Sequence, residues 1–270
     1  YVLFPNYSIA LPREVMPKAK AAALKAIELD DTHAETRTAL GIYYSNYAWN
    51  MPAAEREFRR AIELNPNYAP AHQQFAIECL VIMKRFDEAI AEGRRAVELD
   101  PVSPIIGSDL GNVLARARRF DESIDQLNKV IALDGNFGVA YWYLGISYSG
   151  KRQYELAVEA SRKSISINDN PWVRAVLIQS LVQANKVAEA RRALAELEAE
   201  SRRRYVPGSS LSIAYAALGD KDKAFAGMER EIEERGSRAL LFSILHLWDS
   251  LKDDPRFDAL LKKVEKSTLD

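Results

Sequence analysis

Apolar residues recur along this chain at spacings of three and four, in stretches broken by short polar turns. Leu40, Gly41 and Tyr44 lie on one stretch, and Ala54, Phe58, Ala61 and Ile62 on the next. That spacing puts the apolar side chains on one face of an α-helix. The pattern continues in pairs. Phe75, Ala76 and Leu80 precede Ala89, Ala96 and Val97; Leu110, Gly111 and Leu114 precede Ser123, Leu127 and Ile131. Tyr141, Leu144, Gly145 and Tyr148 precede Ala157, Val158 and Ile165, and Leu177 and Leu181 precede Ala190, Leu194 and Leu197. A sixth pair carries Ala214, Tyr215 and Leu218, then Ala224, Phe225 and Ile232. No segment alternates with the period of a strand.

The pairs are copies of one unit. The frame Ala61-Ile62-Glu63-Leu64-Asn65 returns from Ala26, Ala96, Val130 and Ser164, at intervals of 34 or 35 residues. A fixed period of this size marks a helical array in which each unit packs only on its neighbours. The expected fold is all-α: an α-solenoid, a right-handed superhelix of about six antiparallel helix pairs with flanking helices. Residues 1–31 read as a truncated first repeat, with Tyr1 to Leu11 the damaged end of an earlier unit. Residues 32–202 read as the array, and residues 203–270 as a degenerate repeat with C-terminal capping helices. These include a short apolar helix around Leu240 to Leu247 and a final helix with Phe257, Leu260, Leu261 and Val264. Helix starts are marked by Thr32 and Glu35 as a capping box, and by Ser103-Pro104, Asn170-Pro171 and Asp254-Pro255 as cap and first-turn proline. The chain opens on Tyr1 rather than Met, which predicts a piece of a longer protein.

Small residues stand where two helices must approach: Gly41, Ala76, Gly111 and Gly145 on first helices, Ala54, Ala89 and Ala157 on second ones. Leu40-Gly41-Ile42-Tyr43-Tyr44 with Ala54, Phe58, Ala61 and Pro66 resembles the tetratricopeptide repeat, as does Tyr141 through Tyr148 with Ala157. The sequence departs from that repeat at the position of Phe58, where later units have Gly93, Leu127 and Ser161. A narrower resemblance rests on Arg204-Tyr205-Val206-Pro207, on Ala214 through Phe225 and on Asp253-Asp254-Pro255-Arg256-Phe257. These are similar to the tail of bacterial signalling proteins in which a repeat array follows a winged-helix DNA-binding domain, a nucleotide cyclase or a Ser/Thr kinase domain. The resemblance implies a non-catalytic protein- or peptide-binding module, scaffold or sensory, within a larger regulator. The alternative is a structural self-association module without a separate ligand.

Charge and chemistry narrow this further. There are 37 basic and 38 acidic residues, so nothing in the balance calls for direct nucleic-acid contact. No apolar run spans a membrane. The single cysteine, Cys79, rules out an intrachain disulfide and suits a buried small hydrophobe in a cytoplasmic protein. A periplasmic location is the alternative if a membrane segment precedes this chain. His33, His72 and His246 fall in separate units without metal-ligand spacing, and His72 reads as a core residue. No nucleophile–base pattern and no phosphate loop is present, so neither an enzyme nor a cofactor is expected.

The concave groove is where a partner is expected, because the first helices of a tetratricopeptide array line it. Residues beside the packing positions should point inward: Gln73 and Ile77, then Ser108, Asn112 and Arg116, then Trp142 and Ile146. The lysine–asparagine clamp that such repeats use for chaperone tails is not met, since Ser108 stands at the lysine position beside Asn112. Tyr141 shares the spacing of Leu144, Gly145 and Tyr148 and is expected in the core. Trp142 then either anchors an apolar side chain of a partner or tucks against the neighbouring first helix. An array end that is left exposed could also pair homotypically, making a homo-oligomer.

Overall fold

The computed structural model describes residues 11–267, and every regular element among them is helical. Residues 1–10, nearly all of the expected remnant unit, lie outside the described residues. The helices are α1 (Pro12–Leu29), α2 (Ala34–Asn46), α3 (Met51–Leu64), α4 (Ala69–Phe75), α5 (Phe86–Leu99), α6 (Pro104–Arg116) and α7 (Phe120–Leu133). There follow α8 (Gly138–Gly150), α9 (Tyr154–Ile167), α10 (Pro171–Gln183), α11 (Val187–Ser201), α12 (Gly208–Ala217), α13 (Lys221–Glu233) and α14 (Pro255–Ser267). A π-helical turn, Ala76–Leu80, continues α4, and two 3-10 turns, Ser237–Leu241 and His246–Leu251, lie between α13 and α14.

Each of α2, α4, α6, α8, α10 and α12 packs on the helix that follows it, which makes six pairs. The same first helices also touch one another in succession, so they form the inner layer and the second helices the outer one. The glycines set the spacing within pairs. A Cβ on Gly41 would lie 2.8 Å from the Phe58 ring, one on Gly111 2.6 Å from Leu127 Cγ, and one on Gly145 2.7 Å from Ser161 Oγ. Gly41, Gly111 and Gly145 thus each face the position where the units differ most, occupied by Phe58, Leu127 and Ser161 in turn. Such a variation of side-chain volume at a fixed crossing changes the local packing without changing the fold.

The turn between the two helices of each pair has a shared backbone device. Trp49, Lys84, Arg118, Arg152, Asn185 and Gly219 all have positive φ, between 54° and 83°. A left-handed residue ends a helix sharply and returns its last carbonyls to hydrogen bonding. Only the last of the six is glycine, which is why glycine counting in the sequence does not find these turns.

Several local expectations need correction. Thr32 makes no capping box; its amide and hydroxyl both bond Asp30 Oδ1, at 2.9 and 2.6 Å, and His33 precedes α2 without a side-chain cap. Ser103 likewise makes no cap bond, whereas Asn170 accepts from the Trp172 amide at 2.9 Å. The carboxyl of Asp30 competes successfully for Thr32 because it lies only two residues away, the geometry of an Asx turn. On α8 the fully packed aromatic is Tyr143, not Tyr141. Tyr141 is half-buried and its hydroxyl donates to the Gly135 carbonyl at 3.2 Å. The single-stripe argument fails because a first helix is flanked by its own second helix, by both neighbouring first helices and, here, by the C-terminal segment.

That segment is the main departure from expectation. A single helix over Leu240 to Leu247 does not form; residues 237–251 make two 3-10 turns that run across the inner layer. Gln179 of α10 donates to the Leu247 carbonyl at 3.0 Å, and Trp248 donates to the Ser212 hydroxyl of α12 at 3.0 Å. His246 Nε2 lies 3.3 Å from Ser149 Oγ of α8, and the Trp172 and Trp248 rings are 5.9 Å apart. Phe242, Leu247, Trp248 and Leu251 are fully buried. Burying four such side chains contributes on the order of 10 kcal/mol of transfer free energy, set against the entropy of ordering the segment. The segment is packed into the concave face, its side chains buried among α8, α10 and α12.

Candidate functional site on the concave face

Between the inner helices and residues 237–245 lies a cavity of about 360 Å³. Its walls come from α2 (Glu35, Ile42, Asn46), α4 and the π turn (Gln73, Gln74, Ile77, Glu78), α6 (Asp109, Asn112, Arg116) and α8 (Trp142, Tyr143, Ile146). Trp172, Ser237, Arg238, Leu241 and Leu245 close the far side. The volume falls within the range of ligand pockets, and the mixture of aliphatic and aromatic wall with a few polar groups is typical of them.

Of the seven residues expected to face inward, Gln73, Ile77, Asn112, Arg116, Trp142 and Ile146 line this cavity. Ser108 does not: it is completely buried, and its hydroxyl is packed away from the cavity without a partner. Trp142 is half-buried and its ring packs on Tyr143, with ring centres 4.9 Å apart and planes inclined at 37°. It touches the cavity, and the ring it packs on belongs to its own helix, α8.

The polar centre of the site is Asp109. Gln73 Nε2 donates to its Oδ2 at 2.6 Å and the Tyr143 hydroxyl donates to its Oδ1 at 3.2 Å, so one carboxylate ties α4, α6 and α8 together. Burial is the largest influence on this carboxyl and pushes it up to about 6; Gln73 and Arg116 oppose the shift and Glu78 adds to it. Arg116 spans units as well, its Nη1 donating to the Ile77 carbonyl at 3.0 Å. That carbonyl belongs to the π turn, where the Val81 amide reaches five residues back to Ala76 at 3.1 Å. A π turn inserted in a helix frequently marks a functional wall, because it rotates the following side chains out of regular register. Arg238 stacks over Trp172, its Cζ 4.6 Å from the ring centre, and burial lowers its pKa.

Sequence reasoning missed Asp109, Tyr143, Trp172 and Arg238. Asp109 carries a usable signal: it is the sole acid of α6, set among Ile106, Leu110 and Val113. A carboxylate in such a run is either paired or functional. Arg238 carries none, because nothing in its own segment reveals that the segment turns inward.

The other candidates are structural. His72 is buried, its Nδ1 2.5 Å from Glu92 Oε2 and its Nε2 3.0 Å from the Pro66 carbonyl, joining α4 to α5 as a core histidine. Burial pushes the Cys79 thiol up to about 12, where it is unreactive. Among the described residues no cluster of His, Cys, Asp and Glu could hold a metal ion, and no helix is long and apolar enough to cross a membrane.

Comparison with known proteins agrees with this architecture. No curated protein matches the chain. Among solved structures, a chain of the APC/C hetero-tetramer Cut9–Hcn1 aligns over 98% of this chain with a TM-score of 0.65 and 18% identity. This chain spans 48% of that one. PilW, a widely conserved type IV pilus biogenesis factor, aligns over 84% of this chain and 98% of its own, with a TM-score of 0.58 and 19% identity. PilF of Pseudomonas aeruginosa aligns over 83% of this chain and 97% of its own, with a TM-score of 0.54 and 20% identity. Residues 139–171, which span α8, α9 and the turn between them, match the family model of the tetratricopeptide repeat, and the fold of the chain is a tetratricopeptide-type α-solenoid.

Proposed function

We propose that this chain is a non-catalytic protein-interaction module, scaffold or sensory, of a larger bacterial signalling or regulatory protein, and that the concave cavity is its recognition site. The observation that carries the reading is the cavity itself. Six residues expected from the repeat pattern to face a partner line one space, and the space is bounded on its far side by the chain's own Ser237, Arg238, Leu241 and Leu245. A long extended peptide could not follow the whole concave face, because the C-terminal segment already occupies the part over α10 and α12. What remains suits a short segment of a partner that inserts one or two side chains among Ile42, Ile77, Ile146 and Trp142. The proposed compartment is the cytoplasm, with the periplasm as the alternative.

The test is selection of short peptides from a random displayed library on the folded chain, followed by NMR mapping of the selected peptides. Amide and side-chain shifts clustered at Ile77, Asn112, Trp142 and Ile146 support the reading. Binding that maps to the outer helices, or concentration-dependent dimerisation in light scattering with no peptide selected, overturns it, the second outcome in favour of self-association.

A further inference from the structure

The cavity wall holds more hydrogen-bonding capacity than the chain itself uses. Asn112 of α6 is 3% exposed, and its side-chain amide bonds none of the other described residues. Asn46 Nδ2 on α2, Gln74 Oε1 on α4 and Trp142 Nε1 on α8 are buried without a partner. All four residues line the one cavity. Buried polar groups are nearly always paired, and an orphan costs free energy that a partner would return.

The charges of the same wall are engaged within the chain. Both Asp109 oxygens are bonded, to Gln73 and Tyr143. Arg116 Nη1 donates to the Ile77 carbonyl, and Arg238 stacks over Trp172 and interacts through charge with Glu231 and Glu78. What is left open is uncharged: donors from Asn112, Asn46 and Trp142, acceptors from Asn112 and Gln74. A hydroxyl has one hydrogen and cannot serve two acceptors. A primary carboxamide has two N–H donors beside an oxygen with two lone pairs, and it matches this set. A carboxylate is the rival, because Arg116 Nε is a further unpaired donor. Glu35, Glu78 and Asp109 in the same wall oppose it.

We propose that the cavity takes the carboxamide side chain of a partner peptide, glutamine above all, paired amide to amide with Asn112 and accepting from the Trp142 indole N–H. The proposal rests on the cavity being the recognition site. Glutamine is favoured over asparagine because its longer methylene stem can lie along Ile77 and Ile146 while the amide reaches the polar groups.

Titration calorimetry with acetyl-Leu-Gln-Leu-methylamide, its methionine and glutamate counterparts and butyramide tests it. The methylamide cap keeps a second primary amide out of the peptides. The glutamine peptide should bind saturably and about tenfold tighter than the methionine peptide, which keeps the length and leaves the wall's polar groups unpaired. It should also bind tighter than the glutamate peptide. Asn112→Leu should remove the preference for glutamine over methionine, and Trp142→Phe should reduce it, with unchanged circular dichroism showing that both variants are folded. The preference is a ratio within one variant, so general loosening of the fold does not imitate its loss. Equal affinity of the parent chain for the glutamine and methionine peptides overturns the proposal. Tighter binding of the glutamate peptide overturns it in favour of a carboxylate, and butyramide binding as tightly as the glutamine peptide overturns the peptide as its source. If the glutamine peptide fails while peptides from the random library still map to the cavity, the inference falls and the recognition site stands.

Discussion

Gly145 and Ser161 meet at the crossing of α8 and α9, so closely that a Cβ on Gly145 would lie 2.7 Å from the Ser161 hydroxyl oxygen. Ser161 is fully buried and its hydroxyl has no partner, so the contact is one of shape rather than of hydrogen bonding. Gly145→Leu should cost about 1–3 kcal/mol or more through overpacking. Ser161→Gly should recover part of that loss by opening the facing space. Urea unfolding of the two single variants and the double variant measures both effects, and additive losses would show that the two positions do not share the crossing.

The left-handed turn residues offer a stabilising change. Arg152 has φ 61° and is exposed, and Gly219 occupies the equivalent place with φ 83°. A non-glycine residue there costs roughly 1–2 kcal/mol, of which glycine returns part to the greater freedom of its unfolded chain. Arg152→Gly should therefore raise the unfolding free energy by about 0.5–1 kcal/mol. A lower urea midpoint would mean that the arginine side chain contributes more than its backbone strain costs.

Asp109 makes stability depend on pH. Its carboxyl moves from 3.8 to about 6 on folding, chiefly through burial. A carboxyl raised in the folded state favours folding while it is protonated, and that advantage disappears as pH rises through about 6. The groups facing it are Gln73 and Tyr143, which bond it, and Glu78 and Arg116, which act through charge. Replacing it with Asn removes the titration. The stability of Asp109→Asn relative to the parent should rise between pH 4 and pH 7 by up to roughly 3 kcal/mol. A difference that stays flat with pH would place the carboxyl in water.

His72 has a dependence of the same sign, set from a higher unfolded value. Its bond to Glu92 raises its pKa, so the protonated imidazole stabilises the fold below the unfolded value of 6.5. That contribution is lost as pH climbs through the folded value. The destabilisation caused by His72→Gln should be larger at pH 6 than at pH 9. An equal loss at both would make the residue a packing element only.

The repeat pattern made the array legible because its cause is local. Gly41, Gly111 and Gly145 recur at one period, and any helix with that spacing must bury the same face. The inward position of Gln73, Asn112, Trp142 and Ile146 followed from the same geometry. The closure of the site did not. Trp248 reaches Ser212, and Leu247 reaches Gln179, across 36 and 68 residues of chain. Apolar content alone cannot distinguish a segment that caps the end of a solenoid from one that lies along its inside. Tyr141 was expected in the core, where Tyr143 sits instead, for a related reason: a helix packed on several sides has no single apolar stripe.

The most direct test of the account is a comparison of two tryptophan substitutions at opposite faces. Ile146 is buried in the cavity wall, and Leu133, at the end of α7, is 59% exposed. Titrating a library-selected peptide into Ile146→Trp and Leu133→Trp, with melting curves to show that both are folded, separates inside from outside. The account predicts that Ile146→Trp abolishes binding by filling the cavity, while Leu133→Trp leaves the affinity unchanged. Full affinity in the cavity-filled variant, or its loss only in Leu133→Trp, would contradict a recognition site on the concave face.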